Sequence, residues 1–227
     1  KTLDNIVRTK LELIQSDRLE RAFVHNSVTD TPHEKVTFFG DGEHVQATLE
    51  GTSFDVELHD KLHHFETKVL GGFQTINMNA SILIADALGM SAEAITEGIK
   101  ELESVEHRLE RIDAGGKIIL DDGYNGNIDG MLEGIRLCSL HEGRKVIVTP
   151  GLVESTAELN QQLIHAINDV FDIAIITGSL NAESFDKHLK VPQKIMLADK
   201  STLTTVLGQS TQSGDIILFA NDAPNFI

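Results

Sequence analysis

From residue 117 onward, short apolar runs alternate with stretches of helical period, and this alternation constrains the fold more than any other feature. Strands are expected at 117–121, 145–149, 172–177, 194–198 and 215–220. Helices are expected at 129–140, 156–169, 181–189 and 201–209. Strands separated by helices of this length make a parallel sheet with helices on its faces. The expected class is α/β, a Rossmann-like, mostly parallel sheet with flanking helices.

The first hundred residues read differently. Leu3, Ile6, Val7, Leu11 and Ile14 share one face of a helix over 3–14. Short strands are expected at Ala22–Val24 and Val36–Phe39, then near Val45–Leu49, Phe54–Leu58 and Asp60–Leu70, giving mixed or antiparallel β structure. A helix over Ile76–Leu88 ends at Gly89, and Ser91 caps the next, Ala92–Leu102. The boundary between the two blocks falls at about 103–112.

Within the second block, Ile118–Met131 carries the most chemistry. The apolar run Ile118-Ile119-Leu120 gives way to Asp121-Asp122-Gly123-Tyr124-Asn125-Gly126-Asn127, and a helical pattern follows. In open α/β sheets, ligands bind at this carboxyl-end position. A carboxylate there can accept bonds from ribose hydroxyls, an aromatic ring can pack on a base, and asparagines both donate and accept. Asp, Gly and Asn also simply form turns, so the residues alone leave both readings open.

Composition narrows the class. The 227 residues carry a net charge of −16, which argues against nucleic-acid binding, because neutralising phosphates takes clustered Lys and Arg. No apolar run is long enough to span a bilayer, and no signal peptide opens the chain. The single cysteine, Cys138, lies in an apolar helical pattern and reads as a core residue in a reducing, cytoplasmic protein.

Other candidates are weaker alone. Arg108, at the block junction, is either a phosphate clamp or a surface ion pair, and the surface pair is favoured. Thr149-Pro150-Gly151 ends a strand and either lines the same cleft or is an ordinary turn. His59, His63 and His64 lack metal-ligand spacing, and His25, His33 and His44 read as surface. No Gly-x-x-x-x-Gly-Lys-Ser/Thr phosphate loop occurs, and Gly115-Gly116-Lys117 reads as a hairpin turn.

In order along the chain, these segments resemble the Mur ligases, the ATP-dependent amide-forming family of peptidoglycan synthesis. The resemblance is greatest to the branch that adds D-alanyl-D-alanine to UDP-N-acetylmuramoyl-tripeptide. Residues 121–131 parallel its Asp-Asp-Ser-Tyr-Asn-Ala-Asn-Pro-x-Ser-Met, and His107-Arg108-Leu109-Glu110 parallels its Gly-Arg-Leu-Glu. Residues 72–81 parallel Gly-x-His/Phe-Asn-x-x-Asn-Ala-x-Ala-Ala, and residues 8–14 parallel Ala-Lys-x-Glu-Ile. Leu218–Pro224 resembles the branch's C-terminal segment. Gln74, Gly123, Gly126 and Ile128 depart from the family's Asn, Ser, Ala and Pro, and the added glycine is expected to loosen the loop.

The resemblance implies ATP and Mg²⁺ as cofactors. It implies that Asp122 contacts the nucleotide, with Tyr124 and Asn125 lining its pocket. Arg108 would reach the phosphates, Asn77 the adenine, and Lys10 would organise magnesium as a carbamate. Thr149 and Gly151 are expected on the D-alanyl-D-alanine side. Residues 1–104 would be the C-terminal part of the central ATP-binding domain and 105–227 the C-terminal domain. The chain is then expected to be a monomeric fragment, inactive alone, of a ligase acting on UDP-N-acetylmuramoyl-tripeptide and D-alanyl-D-alanine. A catalytically silent binding module built from ligase domains is the alternative. Asp121-Asp122 after a strand also suggests a response-regulator-like receiver.

Overall fold

The structure is a computed structural model that describes residues 2–28, 33–124, 126–153 and 155–221. Asn125, Glu154 and residues 222–227, which include Asp222-Ala223-Pro224, lie outside the described residues. The chain divides into two compact units. The first comprises residues 1–45, 53–66 and 73–101, and the second 46–52, 67–72 and 102–227.

The first unit opens with α1 (Leu3–Leu11), where the Thr2 hydroxyl accepts from the Asn5 N–H, Asp4 lies in the first turn and Arg8 and Lys10 in the last. Each placement complements the helix dipole. Strands β1 (Ala22–His25) and β2 (Val36–Phe39) pair in parallel, so the block is mixed rather than purely antiparallel. Then β3 (Glu43–Ala47), β4 (Thr52–Leu58) and β5 (Lys61–Thr67) form a three-stranded sheet in chain order. His59 and Asp60, both at positive φ, make the two-residue turn of a β4–β5 hairpin.

Helices α2 (Thr75–Ala87) and α3 (Ala92–Lys100) follow, separated by Gly89 at φ 88° and by Ser91, whose hydroxyl accepts from Ala94 N–H. Alternate residues Phe54, Val56 and Leu58 of β4 pack with Phe65, Met78, Ile82, Ile95 and Ile99 into the unit's core.

The second unit holds a six-stranded sheet. In chain order its elements are β6 (Glu110–Ala114), β7 (Lys117–Asp122), α4 (Ile128–Ser139), β8 (Lys145–Thr149), α5 (Ala157–Val170), β9 (Ile173–Thr177), α6 (Ala182–His188), β10 (Gln193–Leu197), α7 (Leu203–Ser210) and β11 (Ile216–Ala220). The strands lie in the order β10-β9-β8-β11-β7-β6, all parallel except β6, which is antiparallel to β7. Leu120, Ile147, Ala174, Ile176 and Leu218 face α4, α5 and α6. Val146, Val148, Ile173, Ile175 and Ile217 face α7. Coverage on both faces explains why these strands read as continuous apolar runs.

Two expectations change. Strand β6 falls where only a block boundary was expected; Gly115 and Gly116, at φ 60° and 74°, turn it onto β7. The receiver alternative is excluded by topology. Numbered from β7, the five parallel strands lie in the order 4-3-2-5-1, whereas a receiver has 2-1-3-4-5.

Candidate functional site

Strand β7 carries Leu120 into the core and ends in two carboxylates. Because side chains alternate across a strand, Asp121 and Asp122 take opposite faces. Asp121 points to the α7 side, where its Oδ2 meets His107 Nδ1 at 2.8 Å and its Oδ1 accepts from Gly123 N–H at 3.1 Å. Asp122 is largely buried on the other face and accepts from the Leu109 backbone N–H. Burial pushes its carboxyl up to about 6; Asp121 adds to the rise, while the Leu109 bond and the Arg108 charge oppose it.

The turn before β6 is unusual in its backbone. His107 and Leu109 have φ of 62° and 51°, the left-handed region that L residues seldom occupy. Leu109 is fully buried, and the His107 carbonyl accepts from Tyr124 N–H at 3.1 Å. Between them Arg108 projects outward, its guanidinium 4.6 Å above the centre of the Tyr124 ring. A guanidinium over an aromatic face is an attractive cation–π contact. One face of the ring expected to meet a base is therefore covered by the arginine expected to meet the phosphates.

Gly126 lets the chain come close to a neighbouring strand end. Gly126 N–H donates to Asn221 O at 3.0 Å, and a Cβ at Gly126 would lie 2.8 Å from that same oxygen. The alanine that the family pattern places here does not fit this approach. Asn127 caps α4 by accepting from Gly130 N–H at 2.9 Å.

Beside the loop, a cavity of about 390 Å³ opens at the carboxyl ends of the parallel strands. His107, Asp121, Pro150, Thr177, Lys200 and Asn221 supply its polar and turn residues, and Val148, Leu203 and Phe219 its apolar wall. Asp122, Arg108 and Tyr124 do not line it. Sequence reasoning did not select His107 and Asp121 as site residues. The period-two alternation from Leu120 carried the signal for Asp121, and a left-handed φ leaves no signal in the residue letters.

The other expected residues have clear local surroundings. Thr149 is buried, and its hydroxyl accepts from Gly151 N–H at 3.0 Å. Gly151 has φ 75°, and a Cβ there would lie 2.8 Å from both Asn160 Oδ1 and the Phe185 ring. Asn160 accepts from Leu152 N–H and donates to the Leu152 carbonyl, and Asn181 donates to the carbonyls of Pro150 and Leu152, so this turn is pinned from α5 and from the start of α6. In the first unit, Lys10 is exposed on α1, and Asn77 is exposed on α2 with its amide donating to Gln74 Oε1 at 3.3 Å.

Cys138 is a core residue, its thiol pushed up to about 12 by burial. His44 and His64, expected as plain surface residues, both bond Asp55, at 2.8 and 2.6 Å. Among the described residues no group of three or more His, Cys, Asp or Glu side chains is arranged to hold a metal ion, and no helix is long and apolar enough to cross a membrane.

No protein-family model matches the chain. Over 109 residues, 45% of the chain, it is 31% identical to the UDP-N-acetylmuramoyl-L-alanyl-D-glutamate--L-lysine ligase of Staphylococcus aureus, of which that stretch is 22%. The fold matches the MurF ligase from Thermotoga maritima in complex with ADP, with a TM-score of 0.75 and 22% identity, over 98% of this chain and 55% of that one. It also matches the UDP-N-acetylmuramoylalanyl-D-glutamyl-2,6-diaminopimelate--D-alanyl-D-alanyl ligase from Acinetobacter baumannii, with a TM-score of 0.74 and 20% identity, over 97% of this chain and 52% of that one. The chain thus spans about half the length of the solved enzymes it matches. The likeness to solved Mur ligases is thus one of fold, along nearly the whole chain, and the likeness in sequence to a ligase of the same kind runs along almost half of it.

Proposed function

We propose that this chain is part of an ATP-dependent Mur ligase that adds D-alanyl-D-alanine to UDP-N-acetylmuramoyl-tripeptide. In this reading residues 1–104 belong to the ATP-binding domain and 105–227 form the C-terminal domain that closes over the nucleotide. The observation that carries the reading is the grouping of Arg108, Tyr124 and Asp122 at the carboxyl end of β7. It supplies a cation for phosphate oxygens, a ring for the base, and a carboxylate for ribose hydroxyls.

The proposed reaction has two steps. The tripeptide carboxylate attacks the γ-phosphorus and ADP leaves, giving an acyl phosphate. The dipeptide amine then attacks the acyl carbon, the C–O bond to phosphate breaks, and phosphate departs with a proton lost from nitrogen. Arg108 would offset charge on the transferring group, and closure would keep water from the acyl phosphate. Magnesium would supply further charge neutralisation. We propose Lys10 for its site through a carbamate and Asn77 for the adenine. Asn125 is proposed beside Tyr124, and the Thr149–Gly151 turn on the amine side. The enzyme would act as a cytoplasmic monomer.

A second reading changes both substrates. The likeness in sequence to a UDP-N-acetylmuramoyl-L-alanyl-D-glutamate--L-lysine ligase favours a free diamino acid in place of the dipeptide, joined to UDP-N-acetylmuramoyl-L-alanyl-D-glutamate in place of the tripeptide. Phosphate release by the full-length parent, with D-alanyl-D-alanine and the tripeptide or with L-lysine and UDP-N-acetylmuramoyl-L-alanyl-D-glutamate, decides between them. Calorimetry of ADP and ATP with the 227-residue chain tests the site itself. We expect nucleotide binding without ligation. Phosphate release by this chain alone would overturn the expectation that it is inactive, and failure of the parent to use either acceptor would favour a silent binding module.

A further inference from the structure

We propose that His107 is a positioning residue, whose protonated imidazole holds the 107–109 turn so that Arg108 lies over Tyr124, and whose deprotonation loosens that turn. The inference rests on the proposed role of Arg108 at the nucleotide phosphates.

Three features of the turn lead to it. Arg108 is flanked by two non-glycine residues in the left-handed region, so the turn needs ties to persist. On one side Leu109 is buried and its N–H is held by Asp122. On the other, His107 is tied to Asp121 at 2.8 Å, its carbonyl accepts from Tyr124 N–H, and its own N–H reaches Glu110 Oε2 at 3.4 Å. The resemblance places glycine at position 107. A glycine would take this φ freely but could not grip Asp121.

The His107–Asp121 tie changes strength with pH. The groups facing His107 are Asp121 from β7, Glu106, Arg108 and Glu110 from its own segment, and Lys200, which lines the same cavity from the segment before α7. The Asp121 hydrogen bond and charge, followed by Glu106 and Glu110, raise the imidazole above its ordinary value. The contact is therefore an ion pair below the raised value and a bond from a neutral imidazole to a carboxylate above it. The charge–charge attraction is lost while the hydrogen bond remains, so the turn loosens without being released outright.

The chain supplies its own reporter. It has one tyrosine and no tryptophan, so intrinsic emission comes from Tyr124 alone. We expect Tyr124 emission to show a step between about pH 5 and 8. Its midpoint should match the His107 titration followed by NMR on histidine-labelled chain. His107→Gly should fold, because glycine accepts the backbone, and should abolish the step. Asp121→Asn should move the midpoint down. Asp122 titrates nearby, so Asp122→Asn must retain the step. A flat profile in the unaltered chain, a step that survives His107→Gly, or one lost in Asp122→Asn overturns the proposal. In the parent, His107→Gly should raise the KM for ATP several-fold at low pH and little at high pH, with any fall in kcat confined to the same low-pH range. If the emission step behaves as expected but Arg108→Ala leaves that KM unchanged, the positioning stands and the nucleotide reading fails.

Discussion

Asp121 and Asp122 grip the two residues on either side of Arg108: Asp121 takes the His107 imidazole at 2.8 Å and Asp122 takes the Leu109 N–H. Consecutive residues can do this only because a strand sends them to opposite faces. The arginine between them is held by neither carboxylate and stacks on Tyr124. A strand end thus fixes the direction of a neighbouring turn, and the turn presents a cation.

Removing the second grip should weaken nucleotide use. In the full-length parent, Asp122→Ala is expected to raise the apparent KM for ATP roughly tenfold, the equivalent of about 1.5 kcal/mol for one hydrogen bond to a charged group. An unchanged KM would remove Asp122 from the nucleotide site.

The same carboxylate should leave a mark on stability. Its folded value, about 6, lies above the ordinary 3.8, chiefly because it is buried. The folded state therefore holds the proton more tightly. That contribution is complete below 3.8 and is lost as pH rises through 6. At about 1.4 kcal/mol per unit, the loss is of the order of 3 kcal/mol. Asp122→Asn should remove it, making the variant gain on the unaltered chain between about pH 4 and pH 7. Urea denaturation at the two pH values measures this, and an equal difference at both would show that burial does not penalise the charge.

The parallel sheet was legible because strands covered on both faces become apolar runs. Strand β6 was not: Glu110-Arg111-Ile112-Asp113-Ala114 lies at the sheet edge, and edge strands tolerate charge. The Asp121–Tyr124 loop was legible as chemistry but not as geometry. Its letters do not reveal which carboxylate faces the cavity, nor that Arg108 covers the ring. The pairing of His44 and His64 through Asp55 depends on the register of three strands, which local periodicity does not carry. Thr149 and Gly151 were read as ligand-facing, yet each has a packing role that only the tertiary neighbours Asn160 and Phe185 disclose.

Gly151 should therefore be sensitive for reasons of packing. An alanine would take φ 75° and press its methyl on Asn160 and on the buried Phe185 ring. Left-handed strain together with overpacking is expected to cost about 2 to 4 kcal/mol in the isolated chain. Urea denaturation measures it. If Gly151→Ala is as stable as the unaltered chain but blocks ligation in the parent, the glycine serves the amine substrate instead.

The base of the sheet depends on a buried carboxylate. Asp215 is 1% exposed; it takes two bonds from Arg144, at 3.1 and 2.8 Å, and one from Gln212 N–H at 2.8 Å. Burial alone would raise its carboxyl, but Arg144 and the Gln212 N–H more than offset this and hold it below the ordinary value. Arg144→Ala would leave the carboxylate with the backbone bond and only the weaker charge of Lys117. We expect a loss of roughly 1 to 3 kcal/mol at neutral pH, the usual cost of an unsatisfied buried acceptor. The loss should shrink as pH falls, because the group's lowered value makes its contribution present above the ordinary carboxylate range and lost in acid. Arg144→Ala combined with Asp215→Asn should recover part of it, because an amide needs no counter-charge and still accepts from Gln212. No recovery in the double variant would mean that Arg144 acts through its packing and its bond to the Ser210 carbonyl rather than through Asp215.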